Sequence, residues 1–249
     1  MQSQTEYRSD ASTQTGLALE HEWAAFLQSL PLRSPPLQPL TAQALADAIA
    51  RIMLRTLPSV KKEPAWGEAR QDTVYDAIMA HYTSQVAPGA FASGYVQDVE
   101  GPVARLLRCV AGAAETNTRA ALFAYLTGVH PSGTPAWPPA TWHFLIHVLF
   151  ALQQLLGGIW KSVCKAWTSS PNGAAVPIQA VYDLVGNLYS VQVPTDLDAP
   201  IARRLASIVT PSSAGPVVDL DVLLLLLITE FNTEQCPRSA LLFPRRLTD

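Results

Sequence analysis

The sequence predicts an all-α protein, and three observations carry that class. Apolar residues recur at steps of three and four along most of the chain, as they do on one face of a helix. No alternating run of strand length recurs. Prolines, 20 in 249 residues or about 8% against a norm of about 5%, fall between the apolar stripes and divide them into successive helices.

Residues 1–16 are polar, rich in Ser, Thr and Gln, and predict a flexible tail. Leu19, Trp23, Phe26, Leu27 and Leu30 form the first stripe, stopped by Pro31, Pro35 and Pro36. Thr41 is the N-cap of a second helix with Leu45, Ile49, Ile52 and Met53 inside, closed by Pro58. Asp72 is the expected cap of a helix carrying Val74, Tyr75, Ile78, Met79 and Tyr82, broken at Pro88-Gly89. From Val96 to Val110 the apolar residues hold helical phase across Gly101-Pro102, so Pro102 marks either a kink or a fresh start. The pattern resumes at Leu122, Phe123 and Leu126, giving a long bent helix that Gly128 ends. The proline-rich stretch from His130 to Pro139 is the clearest internal boundary.

Thr141 to Trp160 carries no formal charge. It has the length of a membrane span, but His143, His147 and Gln154 share one face, which favours a buried core helix bracketed by Gly157-Gly158. Lys161 and Lys165 suit its C-terminal end. Ser169 to Gly173 reads as a turn, and Pro177 opens a helix with Ile178, Val181, Tyr182, Val185 and Leu188. Asp198 and Pro200 start a helix carrying Ile201, Leu205, Ile208 and Val209, and Pro211 to Pro216 is a loop. Asp221 is the expected cap of Val222 to Ile228, an unbroken apolar run whose leucines favour a core helix over a strand. The final stretch, with Pro237, Pro244 and Arg245-Arg246, reads as extended.

Charge bounds the function. Seventeen basic against twenty acidic residues give −3, with no basic stripe, which argues against a dedicated nucleic-acid binder. Charged residues make up 15% against about a quarter in ordinary globular chains, as expected of a surface covered by neighbours. Cys109, Cys164 and Cys236 are odd in number and far apart, so they predict buried free thiols in a reducing compartment. The polar N-terminus lacks the cationic and apolar regions of a signal peptide.

Enzyme motifs fail in turn. His21-Glu22 opens like a zinc-protease helix, but the second histidine position holds Ala25. No GxSxG, GxxxxGK[ST] or GxGxxG occurs. The i, i+4 pair His143 and His147 either holds a metal or, as the better reading, hydrogen-bonds internally or lines a contact face. Asp76 and Asp183 are weak candidates for catalytic carboxylates beside the simpler reading of a solvated helix face. Trp66, Trp137, Trp142, Trp160 and Trp167 lack basic neighbours and read as core residues or interface anchors. The expectation is no enzyme, no cofactor and no metal.

Several segments, in order, resemble the N-terminal half of the adenovirus protein IIIa family of minor capsid (cement) proteins. They are Asp183-Leu184-Val185-Gly186-Asn187-Leu188-Tyr189, then Val193-Pro194-Thr195, then Ile208-Val209-Thr210-Pro211-Ser212, then the leucine run Leu223 to Leu227 with Ile228. Thr73-Val74-Tyr75-Asp76-Ala77-Ile78 and Ala121-Leu122-Phe123-Ala124-Tyr125-Leu126 are similar to two earlier family helices, and Glu22-Trp23 to an early Asp-Trp. The shared order spans about residues 20–235. Between Ser212 and Leu223 the chain has extra residues, and family members are considerably longer.

The resemblance implies two helical lobes joined by a long connecting helix: a tail at 1–16, an N-terminal helical domain at 17–94, the connecting helix at 95–127, a second helical domain at 128–235 and an extended segment at 236–249. It implies a structural role on the inner capsid face beneath the vertices, in several copies per vertex. The first domain would join penton base to peripentonal hexons and the second would meet protein VIII. Assembly would take place in the host nucleus, with no small molecule and no membrane. Trp23, Phe26, Tyr75, Trp142, His143 and His147 are the interface candidates, with Trp23 and Phe26 packing either within their domain or onto hexon. Two other classes stay open: a helical adaptor that takes a partner helix in an apolar groove, and a membrane protein using residues 141–160.

Overall fold

The computed structural model describes residues 25, 38–57, 73–84, 95–132, 137, 139–190, 193 and 199–233, with only the backbone of 95–100 and 139. Trp23, Phe26, Asp72, Asp198, Cys236, the tail at 1–16 and the segment at 236–249 lie outside the described residues.

The described part is mainly helical, as the periodicity predicts. Helix α1 (Ala42–Arg55) starts at Thr41, whose side chain accepts from the Ala44 N–H. Its buried stripe is Leu45, Ala46, Ile49, Ala50, Ile52 and Met53. Helix α2 (Val74–Thr83) is capped by Thr73, not Asp72, through a reciprocal capping box with Asp76. The Thr-x-x-Asp spacing that makes this box possible was present in the sequence.

Residues 95–127 form two helices where one was expected. Helix α3 (Tyr95–Ala113) contains Pro102 within it. The chain then turns through residues 114–116, and Asn117 caps α4 (Thr118–Thr127) by accepting from the Ala120 N–H. An Asn side chain that bonds its own downstream backbone competes with helix continuation, and here it starts a new axis that folds back on α3. Gly128, at φ 74°, ends α4 as expected.

Helix α5 (Pro139–Leu156) does not stop at Gly157-Gly158. One 3₁₀ turn (Gly157–Ile159) carries it into α6 (Trp160–Ser169). Then come β1 (Ala175–Pro177), α7 (Ile178–Tyr189), α8 (Pro200–Ile208), β2 (Val209–Thr210), β3 (Val217–Asp219) and α9 (Leu220–Asn232). The small sheet, in order β1-β3-β2 and antiparallel throughout, was not expected. Its strands are too short to show an alternating pattern. Val176 and Val218 face each other across it, both fully buried.

The two-lobe arrangement is not how these helices pack. One apolar core runs from Leu45 to Ile228. Helix α4 sits within it, against α1, α2, α3 and α9, and α1 also packs on α6. A helix with Leu122, Phe123, Ala124 and Leu126 all buried needs neighbours on every side. Helices from before and after it supply them.

Candidate functional site

The sequence-predicted interface residues separate on folding. Tyr75 is half-buried on α2. Trp142, His143 and His147 sit on α5, but Trp142 points inward at 3% exposure and belongs to the core. Phe144 stacks on Phe231 at 4.4 Å, and Thr141 donates to Asn232 at 2.9 Å, so this side of α5 is committed to α9. The other side stays open. His143 and Gln154 are exposed, while Ile146, His147, Phe150 and Leu155 are half-open. Ile159, on the 3₁₀ turn, is 49% exposed. The result is an uncharged strip from residue 143 to 159, apolar with a few imidazole and amide groups. Such a strip suits a protein partner better than a charged ligand. Among the described residues no group of three or more His, Cys, Asp or Glu converges as a metal would require, so His143 and His147 stand as a pair.

Several described carboxylates have structural partners. Asp76 completes the α2 capping box, and Asp183 accepts from Gln179 at 3.0 Å. Asp47 pairs with Arg51, and the buried Glu230 pairs with Arg204. The N-cap of α9 is Asp219, which accepts from the Asp221 and Val222 N–H groups. The expected cap, Asp221, is used elsewhere.

Asp221 belongs to a buried node that sequence reasoning missed. Arg119, on the first turn of α4, is wholly buried. Its Nε donates to both Asp221 oxygens at 2.9 and 3.1 Å, and its Nη2 donates to Oδ2 at 3.0 Å. Its Nη1 donates to the Ala46 and Trp167 carbonyls at 2.9 and 2.8 Å, and Nη2 also approaches the Ser170 carbonyl at 3.3 Å. Trp167 Nε1 donates to Asp221 at 2.7 Å, and the guanidinium carbon lies 5.0 Å from the Trp167 ring centroid. Every guanidinium donor is used, as burial of a charge demands. The node fastens α1, α4, α6 and α9 together. It is closed to solvent, so it organises the fold and offers nothing to a substrate. A lone Arg in a low-charge, apolar stretch was the only signal in the sequence, and nothing local named its partner.

Burial lowers the pKa of two histidines. For His147 the cause is desolvation alone. For His81, on α2, desolvation leads, the Arg55 and Arg51 charges of α1 add to it, and Asp47 opposes. A group held below its unfolded value of 6.5 stabilises the fold above that pH and loses the contribution as pH falls through its folded value. Urea unfolding should therefore show stability falling as pH drops below 6.5, with a shallower slope in His147→Gln and His81→Gln. A flat profile from about pH 7 to 5 would mean that both imidazoles are solvated. Cys164 is half-buried and its thiol is pushed up to about 11 by desolvation, consistent with an inert thiol.

Comparison of the chain with protein-family models, curated proteins and solved structures finds no match in any of the three.

Proposed function

We propose that this chain is a structural protein of a viral capsid, a non-enzymatic cement protein related to the adenovirus protein IIIa family. It works on the inner capsid face beneath the vertices by burying its surface against coat subunits. The reading rests on the resemblance, in order, of Thr73–Ile78, Ala121–Leu126, Asp183–Tyr189, Ile208–Ser212 and Leu223–Ile228 to segments of that family. In the fold three of the helices that hold these segments pack in series, α2 against α4 and α4 on α9, and α5, which holds none of them, joins α9 to α7, the helix of a fourth. Segments that meet in one core are what a common fold would retain together. The extra residues between Ser212 and Leu223 build the turn after β2, strand β3 and the start of α9 with Asp219 and Asp221. They add to that core without interrupting it.

Penton base, peripentonal hexons and protein VIII are the partners assigned on this reading, in several copies per vertex, with assembly in the host nucleus. The uncharged strip on α5 is the surface best suited to them. Ile159→Asp should leave unfolding free energy within about 0.5 kcal/mol, as a surface change does, while lowering incorporation of the chain into particles. Imaging of virions tests the whole reading. The chain resolved under the vertices supports it, and a chain outside the shell or absent from particles overturns it.

One observation favours a second reading. The continuous helix Ala140–Ser169 is long and apolar enough to cross a membrane, and 39% of its most apolar window is buried. Carbonate-resistant membrane association of the full chain would select that reading. Against it stands the commitment of one α5 face to α7 and α9.

A further inference from the structure

We propose that Asn172-Gly173 is a site of self-modification. The Asn172 side chain closes onto the Gly173 amide, and the isoaspartate that results lengthens the main chain in the turn that packs on Asp219. This turn joins α6 to β1, outside every helix and strand. Asn172 is exposed in it, whereas Gly173 and Ala174 are buried.

The fold requires glycine after Asn172. Gly173 has a left-handed φ of 83°, and a Cβ there would fall on the Asp219 carboxylate. A side chain on the following residue is what ordinarily shields an asparagine amide from the next main-chain nitrogen. Here Asp219 occupies the place of that shield. Other asparagines of the chain lack this combination. Asn187 is also exposed, but it lies within α7 and is followed by Leu188. Asn117 and Asn232 precede threonines, and their side chains are engaged. Asn117 accepts from the Ala120 N–H and donates to the Pro171 carbonyl. Asn232 accepts from Thr141 and donates to the Ile228 carbonyl.

The reaction takes only water. The Gly173 nitrogen gives its proton to solvent and bonds to Asn172 Cγ, the Cγ–Nδ2 bond breaks, and Nδ2 leaves as ammonia. Water then opens the succinimide ring at one of its two carbonyls. Opening at Cγ leaves an ordinary aspartate. Opening at the main-chain carbonyl leaves Gly173 attached through Cγ, so the backbone passes through Cβ and is one atom longer. Nothing is oxidised or reduced. The extra atom enters a short span held at both ends: Asn117 Nδ2 donates to the Pro171 carbonyl at 3.0 Å, and the Leu220 N–H donates to the Ala174 carbonyl at 2.8 Å. Gly173, between them, must shift against Asp219, the N-cap of α9. The turn therefore acts as a timer that loosens the start of α9 as the chain ages, whatever the chain assembles with.

The test ages the full folded chain at neutral pH in heavy-oxygen water and maps the amide-to-acid mass gain by peptide mass spectrometry. Labelling with an isoaspartyl methyltransferase identifies the lengthened product. Conversion should occur at Asn172 well before Asn187, at a rate within about tenfold of a capped peptide of residues 169–175. Asn172→Gln, which would need a larger ring, should stay unconverted. The aged chain should melt about 2–4 °C below the fresh one, as loss of one helix cap implies. Fresh Asn172→Asp, which brings the charge without the extra atom, should melt with the fresh chain. Conversion more than about tenfold slower than in the peptide would mean that the fold blocks ring closure, and would overturn the site. Equal conversion at Asn187 would do the same. An unchanged melting point after conversion, or an equal loss in fresh Asn172→Asp, would overturn the timer.

Discussion

Asp221→Ala is expected to lower the unfolding free energy by about 3–5 kcal/mol, the usual cost of leaving one half of a buried ion pair alone. The substitution strands the Arg119 Nε–H, one Nη2 donor and the Trp167 indole N–H in a region closed to water. For a chain of this size each kcal/mol lowers the midpoint by roughly 2–4 °C, so thermal unfolding should begin about 6–20 °C earlier. Arg119→Met should cost a similar amount for the converse reason, because the Asp221 carboxylate then lacks its cation. Combining Arg119→Met with Asp221→Leu should recover part of the loss, since an apolar pair carries no desolvation penalty. Recovery will be incomplete, because the Ala46 and Trp167 carbonyls lose their donors too. Urea unfolding of the two single variants and the double variant measures the coupling. A single-variant loss below about 1 kcal/mol would show that water reaches the node.

Gly173→Ala is the second large effect, about 2–3 kcal/mol. Gly173 has φ 83°, where an L residue costs roughly 1–2 kcal/mol. A Cβ built on Gly173 would also fall on the Asp219 carboxylate, which would have to leave its place as the cap of α9. Loss of such a cap costs about 1 kcal/mol more. The strand register explains the approach: Ala175 pairs with Asp219 across β1 and β3, and the Leu220 N–H donates to the Ala174 carbonyl at 2.8 Å. Asp219→Ala removes the cap without the backbone strain, so it should cost only about 1 kcal/mol. Equal losses in the two variants, compared by urea unfolding, would mean that the left-handed backbone at residue 173 carries no cost.

Much of the fold was legible because helix signals are local. Thr41 as the cap of α1, Gly128 as the stop of α4, Pro200 at the first position of α8 and the leucine run of α9 each depend on residues within about four positions. Two expected caps, Asp72 and Asp221, gave way to Thr73 and Asp219, the residues whose side chains accept from the first-turn N–H groups of α2 and α9. Asn117 offered a break that the apolar pattern on either side concealed. The same limit applies to the candidate surface. Periodicity placed His143 and His147 together on one face of α5, but only packing showed that Trp142 turns into the core while Ile159 stays exposed.

The sequence by itself determined the helical class, most helix starts and stops, and the low charge that suits a surface meeting protein neighbours. Tertiary structure alone decided that segments 102 positions apart meet as Arg119 and Asp221, and that three short strands join α7, α8 and α9. The physical reason is range. Capping and amphipathicity are set within a turn or two of helix, whereas the partner of a buried charge is chosen by whichever distant element desolvates it.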